Sequence, residues 1–324
     1  MLTSIVVPVF NSEEYIDRFI EIMSSQTCKD FEILFVVDDR CTDNSKQKLN
    51  SIKDVPFPFR ILEQSDDERL SGARNIGIDH MTGDYVWFTD IDDYPCETFL
   101  EEMTAIMEKS ECDIAMCNFC YSYTNDDYHP PEKKYKTVVY NGSDAMASMN
   151  GGSLPIVTWN KVIRSSFMKE NNLRFVSGYS EDYQFAIDAF LKTDKIVYYN
   201  KPLYVYNLHE NSLSDGNGDL IAERDIEIFK NAAEWMKEER PEHYEEFCAS
   251  ALIHILHSLT NTSTKAFLEL SKSEIIKESL RYKQKKFSVE VFIFKLSRRL
   301  FHLIGRTARK IKYSHKRILF DCDI

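Results

Sequence analysis

An α/β fold with a central sheet covered by helices is predicted from three observations. Short β-branched runs alternate with helical repeats over the first 120 residues, the connections are short, and acidic clusters stand where strands end. Such alternation argues for parallel strands in a doubly wound sheet. Ligands then sit beyond the carboxyl ends of the strands.

The elements follow in order. Residues 4–9 are a short apolar run that suits a buried strand. Ser12 offers an N-cap with Glu13 and Glu14 in the first turn, and Tyr15, Phe19, Ile22 and Met23 repeat at helical spacing. Residues 31–37 give a second buried strand, closed by Asp38 and Asp39, and Thr42 to Ser45 cap the next helix. Residues 59–62 form a third strand, 72–81 a helix, and 84–89 a fourth strand ending at Asp90-Ile91-Asp92-Asp93. A helix over 97–109 and a strand over 113–120 follow. Residues 124–136 read as a polar loop, 137–218 are less regular, and 220–280 turn helical.

The 324 residues are 43% hydrophobic and 28% charged, which fits a globular chain of about two domains. The formal charge of -12 argues against nucleic acid as a partner, since that binding rests on neutralising phosphates. The charge is uneven. Residues 281–317 hold thirteen Lys and Arg and one acid, Glu290, so the first 280 residues carry -22. Cys112, Cys117 and Cys120 cluster without a second Cys or His pair and read as reduced thiols in or beside a strand, with zinc the alternative. The start has no basic segment before its apolar run, and no stretch of about 18 apolar residues occurs, so a cytoplasmic protein is expected.

Several chemistries lack their signatures. No GxGxxG follows the first strand, and neither a GxxxxGK[ST] loop nor a GxSxG elbow is present. With 10 glycines in the chain, phosphates need something other than a glycine cradle. Asp90 and Asp92, two apart at a strand end, would point to one side in extended backbone. Carboxylates without His or thiolate suit a hard cation, Mg²⁺ or Mn²⁺. A solvated acidic turn is the alternative.

Seven stretches in order carry a resemblance: SIVVPVFN, VVDDRCTDNS, SGARNIGI and FTDIDDY within residues 3–120, then VTWNKVIRSSF, SEDYQF and YVYNLHENSLS to about residue 215. Together they resemble a family 2 glycosyltransferase with the inverting GT-A fold. The resemblance implies a Rossmann-like mixed sheet flanked by helices that binds a nucleotide-sugar, with a helical C-terminal extension. The expected division is 1–123 for the nucleotide-sugar half, 124–219 for the acceptor half and 220–324 for the extension.

The resemblance also assigns residues. Pro8, Phe10 and Asn11 line the nucleotide pocket. Asp39 bonds the uracil ring, with Asp38 its structural companion; Arg40-Cys41 here departs from the family's usual Gly-Ser. Arg74, beside Ala73 and Asn75, contacts phosphate or pairs with a carboxylate. Asp90, Ile91 and Asp92 form the DxD stretch, with Asp92 and Asp90 on a Mn²⁺ or Mg²⁺ ion, Asp93 behind them and His209 a third candidate ligand. Trp159 packs beneath the acceptor site. Asp182 is the general base, helix capping being its other reading, and Glu181 orients the acceptor. The adjacent pair Glu181-Asp182 diverges, unlike the two carboxylates roughly 5–9 Å apart of a glycosidase. A nucleotidylyltransferase needs a Gly-rich N-terminal loop, which PVFNSEE is not.

The reading that results is a metal-dependent inverting glycosyltransferase. It moves a sugar from a nucleotide diphosphate, a UDP-sugar favoured, to a hydroxyl of a glycan or lipid-linked acceptor in cell-surface polysaccharide or glycoconjugate synthesis. Its rival is a non-catalytic nucleotide-sugar-binding scaffold of the same fold. Phe292, Leu296, Leu300, Leu303 and Ile304 form one apolar stripe beside Lys and Arg. An anionic membrane surface met through residues 285–319, packing on the acidic body or a partner subunit, and a solvated helical cap are the open readings of that end.

Overall fold

The computed structural model describes residues 1–65, 68–122, 129–150, 154–178, 180–207, 217–282 and 289–314. These residues fall into two compact units. The first holds Met1–Gly142 and the chain from Val157 to the end of the last strand; the second holds Ser143–Ile156 and the C-terminal helices. The sheet of the first unit thus draws strands from both sides of residue 123.

The first unit opens as the alternation predicts. Strands β1 (Thr3–Val9), β2 (Phe31–Asp38), β3 (Phe59–Gln64) and β4 (Tyr85–Phe88) are joined through helices α1 (Ile16–Ser25), α2 (Ser45–Ser51) and α3 (Arg69–His80). All four strands are parallel, in the order β3-β2-β1-β4. The carboxyl ends of β2, β1 and β4 therefore share one rim. Every residue of β2 is buried, as its unbroken apolar run requires of a strand covered on both faces.

The remainder departs from an all-parallel sheet. After β5 (Tyr94–Pro95) and α4 (Phe99–Ser110), strand β6 (Ile114–Ser122) does not lie beside β4. Strand β8 (Lys161–Arg164) lies between them, antiparallel to both. Side chains at the entry to β8 fix it there: the Trp87 indole N–H donates to the Trp159 carbonyl at 2.7 Å and the Asn160 amide to the Cys117 carbonyl at 2.6 Å. Strand β9 (Ile196–Asn207) pairs parallel to β6 and antiparallel to β5, and also carries β7 (Thr137–Tyr140) antiparallel. The sheet is mixed, as the resemblance implies. Helices α6 (Ser165–Glu170) and α7 (Glu181–Lys192) connect β8 to β9.

The first helix also starts later than Ser12. The Ser12 hydroxyl turns back to the Phe10 carbonyl at 3.0 Å and its own carbonyl accepts the Tyr15 N–H at 3.0 Å, so residues 12–15 form a turn. Cys112 precedes β6, Cys117 and Cys120 lie on it, and all three are buried thiols.

The second unit contains α5 (Gly142–Asn150), α8 (Gly218–Glu239), α9 (Tyr244–Leu259), α10 (Thr264–Leu270), α11 (Glu274–Ser279), α12 (Val289–Leu296) and α13 (Arg298–Ser314). Its core joins Phe229, Phe247, Leu252, Ile255 and Phe267. Among the described residues no helix is long and apolar enough to cross a membrane.

Helix α3 approaches the sheet through its small residues. A Cβ at Gly77 would fall 2.2 Å from the Val6 methyl on β1. Gly77→Ala is therefore expected to destabilise the chain by about 1–3 kcal/mol, as overpacked cores do. Urea unfolding of the two proteins measures it, and equal midpoints would contradict that approach.

Candidate active site

The rim formed by β2, β1 and β4 gathers the residues singled out above. Phe10, at the end of β1, is 55% exposed, and Asn11 beyond it takes a left-handed φ of 48°. The Asn11 side-chain oxygen accepts the Thr42 N–H at 2.8 Å, and the Asn11 N–H meets the Cys41 sulfur at 3.4 Å. The loops after β1 and β2 are thus joined to each other. Pro8 pairs with Val36 inside the sheet.

Asp38 and Asp39 separate in role. Asp38 is buried and bound by Arg40, whose Nε donates at 2.7 Å and whose backbone N–H donates at 2.9 Å. Those Arg40 bonds hold the Asp38 carboxyl below its usual range, against the effect of burial. Asp39 is exposed at the rim, its backbone N–H tied to the Gln64 carbonyl at 3.0 Å. The Arg40-Cys41 departure therefore has a physical meaning: Arg40 neutralises Asp38, and Cys41 joins the neighbouring loop.

Asp90, Ile91 and Asp92 lie in a turn, not in extended backbone, closed by the Asp93 N–H on the Asp90 carbonyl at 3.3 Å. The extended alternation expected for the pair does not hold. Burial of Ile91 and Asp93 anchors the turn. Asp93 accepts the Tyr204 hydroxyl at 2.9 Å and the Asn207 N–H at 2.8 Å, both from β9. It serves as support behind the pair. Tyr15 lies close enough for Asp92 to act on it: its phenol is pushed up to about 12, by burial first, then Glu14, with Asp92 and Tyr94 adding.

Arg74 is the hub. It sits on α3, only 2% exposed, its guanidinium carbon 5.1 Å from the Phe175 ring centre. It bonds Asp182, and reaches Asp90 at 3.4 Å and Glu181 at 3.5 Å. Burial opposes its charge, and Asp182, Asp90 and Glu181 outweigh that burial, so its pKa is raised. Of the two readings of Arg74, the structure displays the carboxylate pairing. Asp90 is pushed well above the usual carboxylate range by burial, with Asp92, Asp182 and Glu181 adding and Arg74 opposing. Glu181 is raised by burial and by Asp182.

Glu181 and Asp182 open α7. Asp182 does not cap its own helix; besides Arg74 it accepts the Thr158 hydroxyl at 2.5 Å and the Thr158 N–H at 3.2 Å. Thr158 was not singled out in the sequence, although it stands inside the VTWNK stretch. Asn75, named above beside Arg74 without a role, is a positioning residue: its amide bonds the Phe175 carbonyl at 2.9 Å and the Phe175 N–H at 3.0 Å, fixing the segment that leads into α7. Trp159 packs, stacked on Tyr204 at 4.4 Å between ring centres. Lys161 is fully buried, bonded to the Val157 carbonyl and, at 3.0 Å, to the Asn160 side chain. Burial pushes its ammonium down to about 7, with Asp182 opposing. His209 lies outside the described residues.

The donor set suits a hard divalent cation. Asp90, Glu181 and Asp182 meet one guanidinium, Asp92 acts on Asp90, and the surplus negative charge is carried on oxygens. Among the described residues no group of three His, Cys, Asp or Glu side chains is arranged for a metal. The protein would then supply Asp90 and Asp92, with other positions left to phosphate and water, the usual arrangement for Mg²⁺.

The rim of the parallel strands thus carries the exposed Phe10 and Asp39 and the carboxylate turn, and α7 brings a carboxylate pair to Arg74. Comparison with known proteins supplies the family. Residues 4–171 match the family model described as glycosyl transferase family 2. That span is more than half of the chain, and the chain belongs to this family of glycosyltransferases.

"Glycosyltransferase GlyA" of Streptococcus pneumoniae serotype 4 is 30% identical over 224 residues, 65% of this chain and 31% of that protein. "Uncharacterized glycosyltransferase EpsJ" of Bacillus subtilis is 28% identical over 220 residues, 66% of this chain and 63% of that one. The chain thus spans less than two thirds of the length of both relatives. In structure it is similar to S. aureus TarS 1-349 in complex with UDP-GlcNAc, with a TM-score of 0.73 and 17% identity, over 96% of this chain and 92% of that one. The shared fold is GT-A.

Lys161 gives a pH prediction. Its folded pKa lies below its unfolded one, so between the two the unfolded chain binds the extra proton and stability rises with pH. Relative to Lys161→Met, the wild type is expected to gain roughly 1 kcal/mol per pH unit between about pH 8 and about pH 9.5. Parallel stability–pH curves for the two proteins would rule out a titrating buried lysine.

Proposed function

We propose that this chain transfers a sugar from a nucleotide diphosphate, a UDP-sugar, to a hydroxyl of a glycan or lipid-linked saccharide, with inversion at the anomeric carbon. The product belongs to a cell-surface polysaccharide or glycoconjugate, and the reaction takes place in the cytoplasm. The observation that carries the reading is the meeting of the Asp90–Asp92 turn with the Glu181-Asp182 pair around Arg74. One group of side chains faces the leaving diphosphate and the other faces the attacking hydroxyl.

The roles follow from the bonds. Asp39 accepts the pyrimidine imide N–H while the exposed Phe10 ring offers the base an apolar face. Asp90 and Asp92 would hold Mn²⁺ or Mg²⁺, and when bound that cation neutralises the diphosphate. The UDP and metal assignments draw support from TarS bound to UDP-GlcNAc and from a Pyrobaculum calidifontis mannosyltransferase bound to GDP-Man and Mn²⁺, of TM-score 0.52 and 12% identity over 96% of this chain and 86% of that one.

Asp182 acts as general base. Arg74 and the Thr158 hydroxyl hold Oδ1, and Oδ2 takes the backbone N–H of Thr158. Oδ2 keeps a lone pair for the acceptor's proton, which must leave as the hydroxyl attacks. Arg74 places its positive charge against Oδ1, beside the oxygen that would take the proton. Glu181 orients the acceptor beside it.

Turnover across UDP-, GDP-, CDP- and dTDP-sugars tests the reading. One UDP-sugar is expected to be consumed, with activity lost in EDTA and restored by Mn²⁺ or Mg²⁺, and lost in Asp92→Ala. Selective use of another nucleotide would overturn the UDP assignment, and full activity in EDTA the metal. Asp182→Asn is expected to lower kcat by about 10²- to 10⁴-fold with donor affinity unchanged. A kcat near wild type would remove Asp182 from the base role.

A further inference from the structure

Helices α12 and α13 run on with little interruption, since the Ser297 N–H donates to the Ile293 carbonyl at 2.8 Å and the Phe301 N–H to the Ser297 carbonyl at 3.0 Å. One face is fixed within the C-terminal unit. The Phe294 and Phe301 rings meet at 5.4 Å, and the His302 ring stacks on Phe267 at 4.3 Å with its Nε2 3.0 Å from the Thr262 carbonyl oxygen. Gly305 is pressed on Thr260, where a Cβ would come within 2.4 Å of a side-chain methyl. The rotation of the helix about its axis is therefore set.

That rotation leaves an apolar strip outside. Leu296 is 69% exposed, Leu300 42%, Leu303 65% and Ile304 44%. Their spacing places them on one face, and Lys295, Arg299 and Arg306, all exposed, fall along one edge of it. Two of the readings of this end fare differently here. A solvated cap has no use for a leucine strip, and among the described residues the strip is not packed into the chain.

Charge decides between the remaining occupants. A second copy meeting this face in a two-fold contact would set the same Lys and Arg row against itself. An anionic lipid surface satisfies both parts: acyl chains receive the leucines and headgroup phosphates the cations. The first 280 residues, at -22, are repelled by such a surface, which confines attraction to the basic end. We propose that the Leu296, Leu300, Leu303 and Ile304 strip, edged by Lys295, Arg299 and Arg306, docks on an anionic phospholipid membrane.

Co-sedimentation of the whole chain with phosphatidylcholine vesicles, with and without phosphatidylglycerol, tests this. The wild type is expected to bind the anionic vesicles about tenfold better than the neutral ones. It is expected to be released at about 1 M salt, where the Debye length shrinks to about 3 Å. Leu296→Glu/Leu303→Glu and Lys295→Glu/Arg299→Glu/Arg306→Glu should each cut binding about tenfold, with helical circular dichroism unchanged. Absence of wild-type binding, or variants that bind as the wild type does, overturns the proposal. So does a wild-type dimer in light scattering that the leucine variant alone breaks, which assigns the strip to a second copy. No sugar donor is present, so failure here is separate from failure of the transferase reading.

Discussion

One buried guanidinium organises the first unit. Arg74 is enclosed on α3, yet its partners Asp90, Glu181 and Asp182 come from a turn after β4 and from the start of α7. A cation removed from water is tolerable only where carboxylates surround it, and carboxylates so crowded are tolerable only with a cation among them. Each side of the cluster makes the other possible. The chain segments that bear them are drawn to one point, and a surplus of negative charge remains there.

Around that point the supports are layered. Asn75, one residue from Arg74, holds the backbone of Phe175, and the Phe175 ring stacks on Phe185 of α7 at 4.2 Å between centres. Thr158 holds Asp182 from the approach to β8, and β9 holds Asp93. Small residues on α3 (Ser71, Gly72, Ala73 and Gly77) let the helix lie close enough to the sheet for a long side chain to be enclosed. Packing on one face of a helix thus fixes the electrostatics on another.

Much of this was legible in the sequence, and the limits have physical causes. Unbroken apolar runs such as Phe31–Val37 have one outcome in a sheet covered on both faces, so β1 to β4 could be read directly. The position of β8 could not. Four residues carry no pattern that separates a parallel neighbour from an antiparallel one, and Trp159 and Asn160 decide it through bonds to distant strands. Asp90 and Asp92 do act on each other, but the extended backbone expected of them fails, because the residues form a turn. Arg74 was seen as a choice between phosphate and carboxylate, and only the fold brings the carboxylates to it. Thr158 and Asn75 act through backbone and carboxylate partners remote in sequence, which periodicity does not register. The apolar stripe of α12 and α13 was visible; which of its faces turns outward depends on Gly305 and His302.

The support of Asp93 by Tyr204 and Asn207 bears on the order in which the chain is synthesised. A ribosome that has delivered the first 123 residues has released every residue of the carboxylate turn and of the loops after β1 and β2. It has not yet delivered β8, which separates β4 from β6, nor β9, which braces the turn. Contacts across more than a hundred residues form late, after the entropy of closing that loop has been met. The nascent chain therefore passes through a long interval in which the acidic residues are present without the strands that aim them, and the site becomes complete only when its most distant strand has emerged.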